Sequence, residues 1–63
     1  MHSELAQLSS ATTTLEELLD RVSSTAEQVL ASGDEGLASD LFEVERNLRT
    51  AHRRLVAATR RAG

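Results

Sequence analysis

Residues 37–62 read LASDLFEVERNLRTAHRRLVAATRRA. Eight of its apolar positions, Leu37, Leu41, Val44, Leu48, Ala51, Leu55, Ala58 and Ala62, follow one another in alternating steps of four and three. Two apolar positions per heptad is the pattern of one helix lying along another. The stretch therefore predicts a helix with a narrow apolar seam, and it requires a second helix to cover that seam.

The upstream sequence supplies one. Leu5, Leu8, Thr12, Leu15, Leu19, Val22, Ala26 and Val29 step by three and four in the same way. The weak point is SSATTT at 9–14, whose serines and threonines have low helix propensity. Thr13 with Glu16, or Thr14 with Glu17, would serve as a capping box for a helix starting there. Leu5 and Leu8 nevertheless stay in phase with the later seam, which favours one long helix that frays at its start. Between the two helical stretches, Ser32-Gly33-Asp34-Glu35-Gly36 is the one turn signal. Gly33 suits the left-handed position just past a helix end, and Asp34 suits an N-cap. A connection this short makes the helices antiparallel neighbours.

The expected fold is all-α: an antiparallel two-helix hairpin, coiled-coil-like, pairing into a four-helix bundle. One domain spans 1–63, with helix 1 at about 3–32, a turn at 33–36 and helix 2 at about 37–61. Centring the turn on residue 35 brings together seam residues whose numbers total 70: Val29 with Leu41, Ala26 with Val44, Val22 with Leu48, Leu15 with Leu55. The same register carries Glu16 and Asp20 level with Arg49, His52 and Arg53, so opposite charges flank the seam. Hydrophobic pattern and charge pattern agree.

Composition bounds what such a hairpin can be. Cysteine, proline, tryptophan and tyrosine are absent, and Phe42 is the only aromatic among 63 residues. No disulfide or thiolate metal site can staple the chain. A core of Leu, Val and Ala in so short a chain is thin, which points to association as the source of further stability. The start, MHSELAQLSS, lacks the basic and apolar regions of a secretory signal, and no run approaches the ~20 apolar residues of a membrane span. Cytoplasmic residence without membrane contact is the expectation.

Leu18, Leu30, Phe42 and Val56 fall off the predicted seam and are expected on the surface of a lone hairpin. Together with Arg49, which lies between Phe42 and Val56 on one stripe, they form the candidate protein interface. The simplest occupant is a second copy, since two-fold dimers are the commonest soluble oligomers. Another protein is the alternative.

Chemistry is not expected. Glu16/Glu17 and Glu43/Glu45 are acid pairs whose members, one or two apart, point to different sides of a helix. His2 lies near the start, and His52 has Arg49 where a diiron bundle would carry glutamate. No phosphate loop, nucleophile elbow or calcium loop is present. No catalytic residue, cofactor, metal or small-molecule substrate is assigned.

The net charge of −3 conceals a polarity along the chain. Residues 34–45 hold five acids and no base, whereas 46–61 hold six arginines and no acid. Arg46, Arg49, Arg53 and Arg60 form one outward stripe that could contact phosphate or an acidic partner. The acidic total and the lack of an aromatic in the stripe make nucleic acid the weaker alternative. No family motif is present. Dimeric hairpin bundles such as Rop are similar in architecture, a likeness of fold alone. The expected role is a non-catalytic protein–protein interaction module, an adaptor or regulator acting through its helix surfaces. A nucleic-acid-binding bundle and a purely structural assembly subunit are the alternatives.

Overall fold

A computed structural model of the chain describes residues 2–62, apart from the side chain of His2. Met1, Gly63 and any role of the His2 imidazole lie outside the described residues. The molecule is a hairpin of two helices, α1 at His2–Ala31 and α2 at Glu35–Ala62. It forms a rod with extents of 48 × 14 × 10 Å.

α1 runs unbroken through SSATTT, so the capping-box start at Thr13 or Thr14 is not used. The Thr12 and Thr13 hydroxyls donate to the carbonyl oxygens of Leu8 and Ser9, at 2.8 and 3.3 Å. Back-bonding of this kind accommodates threonine inside a helix.

The turn is tighter than its sequence suggests. The amide of Gly33 donates to Leu30 O at 3.0 Å and that of Asp34 donates to Val29 O at 3.3 Å. Gly33 adopts φ +98°, the left-handed conformation that glycine takes at low cost. These bonds make a Schellman motif, with Gly33 at C′ and Asp34 at C″. Asp34 is at once the N-cap of α2, its Oδ1 accepting from the Leu37 amide at 3.1 Å. Because one residue serves both helices, α2 starts at Glu35 rather than near 37.

That early start changes the register. Glu16 meets His52, and Ser23 meets Glu45. The residue numbers of each pair total 68 where 70 was expected, so the hairpin is centred on Asp34. The α1 seam is the predicted one: Leu5, Leu8, Thr12, Leu15, Leu19, Val22, Ala26 and Val29 are all buried or half-buried.

The α2 seam is not. Its covered positions are Ala38, Leu41, Phe42, Glu45, Leu48, His52, Leu55, Val56 and Thr59, with Thr50 also half-buried. Leu41, Leu48 and Leu55 keep their places. Leu37, Val44, Ala51, Ala58 and Ala62, predicted to complete the seam, are exposed. α2 has turned by roughly half of the 100° residue step. The rotation half-buries the bulky Phe42 and Val56. Of the polar groups it carries inward, His52 meets Glu16 of α1, while Glu45 pairs with Arg49 and Thr59 donates to Leu55 O within α2. Ala26 and Ala38 are the only fully buried apolar residues described, at 0% and 1% exposure, so no large side chain is enclosed.

Candidate protein interface

The rotation gives the hairpin two unlike flanks. On the polar flank α2 presents Ala38, Glu45, His52 and Thr59, spaced by heptads, toward Leu30, Ser23, Glu16 and Ser9 of α1. Every such pair totals 68. Two of them are fixed by polar contacts. His52 Nε2 lies 3.0 Å from Glu16 Oε2. A carboxylate only accepts, so the ring nitrogen carries the hydrogen. Farther along, the Ser23 hydroxyl lies beside the Glu45 carboxylate, which receives Arg49 Nη2 at 2.6 Å. The Glu45 side chain is only 12% exposed. The Arg49 guanidinium first, and the Ser23 hydroxyl second, hold its carboxyl below the usual glutamate range.

The candidate interface residues divide between the flanks. Leu30, Phe42, Arg49 and Val56 lie on the polar flank, where Phe42 and Val56 are half-buried. Leu30 lines a shallow groove with Ala38, Phe42 and Arg46, and Val56 lines another with Thr12, Glu16 and Thr59. Leu18 is alone on the opposite side, in grooves with Leu15 and Leu55 and with Val22 and Leu41.

That opposite side is the open flank. α2 contributes the heptad stripe Leu37, Val44, Ala51 and Ala58, and α1 contributes Ala11, Leu18 and Thr25, all exposed. Leu18, Leu37 and Val44 stand at 42%, 47% and 43% exposure. The stripe carries no charge from Ala11 to Thr25 or from Leu37 to Ala58. Sequence reasoning missed Leu37 and Val44 as surface residues because they fit an apolar seam. The available signal was the polar heptad stripe 45/52/59, which matches Ser9, Glu16 and Ser23.

The arginines also divide. Arg46 pairs with Glu43 at 2.9 Å and Arg49 with Glu45, both within α2. Arg53, Arg54, Arg60 and Arg61 make no hydrogen bond or ion pair among the described residues. The predicted stripe is thus half neutralised, and its free charge gathers at the end of the rod away from the turn. No three His, Asp or Glu side chains converge as a metal-binding group among the described residues. No described helix is long and apolar enough to cross a membrane. No family model, curated protein or solved structure matches the chain.

Proposed function

We propose that the hairpin is a non-catalytic protein–protein interaction module, an adaptor or regulator whose first partner is a second copy of itself in a four-helix bundle. The observation that carries this reading is the open flank, an apolar stripe without charge on a hairpin that, among the described residues, encloses no side chain larger than alanine. The exposed area supports it. The hairpin exposes 4796 Å², against about 4,000 Å² for a compact monomer of its mass. The excess is of the same size as the ~800 Å² per partner of a standard interface.

In such a bundle the arginine-rich ends of α2 remain outside. Arg53 and Arg60 would offer charge-assisted hydrogen bonds to an acidic protein surface. Pairing of Arg46 and Arg49 with carboxylates of their own helix removes half of the stripe that a phosphate backbone would follow, which favours the protein partner.

Sedimentation over a range of concentrations tests the reading. The wild-type chain is expected to sediment as a dimer, and Val44→Asp as a helical monomer. A wild type that remains a folded monomer at high micromolar concentration overturns self-association.

A further inference from the structure

We infer that the two copies pair antiparallel through the open flank, about a two-fold axis passing beside Ala51 of α2 and Leu18 of α1. The inference rests on the self-association proposed above and adds its face, orientation and register.

A second heptad row borders the apolar stripe. One turn away from Leu37, Val44, Ala51 and Ala58 lie Asp40, Asn47, Arg54 and Arg61, again at heptad spacing. Asp40, Arg54 and Arg61 make no hydrogen bond or ion pair among the described residues, so their charges are available. Laying α2 antiparallel on α2 of the second copy, with Ala51 opposite itself, sets Val44 against Ala58, large against small. The same register brings Asp40 level with Arg61 of the second copy and Asn47 level with Arg54. Each pairing occurs twice by symmetry.

α1 gives the same axis independently. The ladder total of 68 puts residue 51 level with residue 17, so Leu18 lies within one residue of the axis. Antiparallel pairing there opposes Leu18 to Leu18 and Ala11 to Thr25. At the border, Thr14 comes level with Arg21 and Gln7 with Gln28. No like charges meet on either helix. The other two-fold arrangement has its axis along the rod and stacks α1 of one copy on α2 of the other. It sets Gln28 against Asp40 and Gln7 against Arg61, and so loses the one opposite-charge pair. Charge pairs at a rim fix orientation more than they add affinity, and orientation is the matter here.

The absence of cysteine makes the test direct, because one introduced thiol reports alone. Both Ala51 and Leu18 are exposed, so thiols there leave the hairpin intact. A disulfide needs Cα atoms within about 7 Å, which a two-fold axis supplies to a residue beside it. Under mild oxidation Ala51→Cys alone and Leu18→Cys alone should each give covalent dimer. Arg49→Cys, at nearly the same level on the polar flank, should give none. Covalent dimer only from a mixture of Leu18→Cys and Ala51→Cys chains would overturn the orientation, and dimer from Arg49→Cys alone would overturn the face. Asp40→Arg should weaken the dimer several-fold, with recovery in Asp40→Arg/Arg61→Asp. Sedimentation of the wild type separates the two levels. A monomer removes the proposed function itself, whereas a dimer that Ala51→Cys cannot trap removes only this inference.

Discussion

The two flanks of the hairpin use the same backbone and the same heptad spacing to opposite ends. On one, Glu16 and Ser23 face His52 and Glu45, and Phe42 and Val56 are half-buried. On the other, Leu18, Leu37 and Val44 stand in solvent with nothing charged beside them along the stripe. Helix rotation is therefore not set by the count of apolar residues on a face. It is set by which face lets polar side chains keep their hydrogen bonds while the largest ring is covered. An unpaired buried polar group costs about 1–3 kcal/mol, comparable with what covering a leucine contributes. The two influences are close enough in size for a few polar contacts to turn a helix.

The largest expected difference between the flanks lies at the leucines. Leu48 lies in the seam and Leu37 on the open flank, though both fit the same apolar spacing. Leu48→Ala should cost about 2–4 kcal/mol, toward the lower end for a leucine because the site is only half-buried. Leu37→Ala should cost well under 1 kcal/mol, if both are measured by denaturant titration where the chain is monomeric. Equal losses would show that α2 is not rotated.

A smaller difference is expected between Phe42 and Val44. Phe42→Ala should lose about 2 kcal/mol and Val44→Ala a few tenths in the monomer, reading the rotation from its two edges. Val44→Ala should also weaken the dimer, which Phe42→Ala would do only through loss of folded hairpin.

The polar flank has its own signature in acid. Glu45 titrates below the usual glutamate range when folded, so the native state releases its proton more readily than the unfolded chain does. The stability it lends is complete above the ordinary glutamate pKa of about 4.3 and is lost as pH falls through the lower folded value. Glu45→Gln should flatten this part of the stability–pH curve below about pH 4. Substitutions on the open flank should leave the curve's shape unchanged. A Glu45→Gln chain with the wild-type acid limb would refute the assignment.

The smallest effect belongs to Glu16. Its side chain is 56% exposed, so the contact with His52 is well screened, and Glu16→Gln should cost less than ~1 kcal/mol. A larger loss would mean that this one pair, rather than the whole ladder, sets the rotation.

Much of this was legible in the chain. The α1 seam follows from its spacing alone, because only one set of positions in α1 is apolar at heptad intervals. Gly33 and Asp34 announce their conformations by type, and the expected register brings Glu16 to within two residues of its level with His52. The α2 rotation does not follow in the same way. Leu41, Leu48 and Leu55 belong to two candidate seams, one completed by Leu37, Val44, Ala51 and Ala58, the other by Ala38, Glu45, His52 and Thr59. Hydrophobicity chooses the first. The second prevails because of side chains on the other helix, and a reading that treats each helix by itself has no access to them. The two-residue shift in register has a similar origin, in Asp34 ending one helix and starting the next. The exposed apolar set followed the rotation: Phe42 and Val56 are partly covered, Leu18 and Leu30 are exposed as expected, and Leu37 and Val44 join them on the surface.

The connection at Gly33 carries a topological consequence. Every described residue outside 32–34 is helical, and no proline interrupts either arm. A β-carbon at Gly33 would meet nothing within 4 Å, so glycine is needed there only for its left-handed φ. With a side chain in place, the reversal would cost ~1–2 kcal/mol, while a right-handed continuation would cost nothing at that residue. The chain would then straighten into a single rod roughly 90 Å long. Two such rods lying side by side would each cover the other's seam, exchanging arms instead of folding back. The conformation of residues 32–34 thus separates a pair of hairpins from a domain-swapped dimer built from the same contacts.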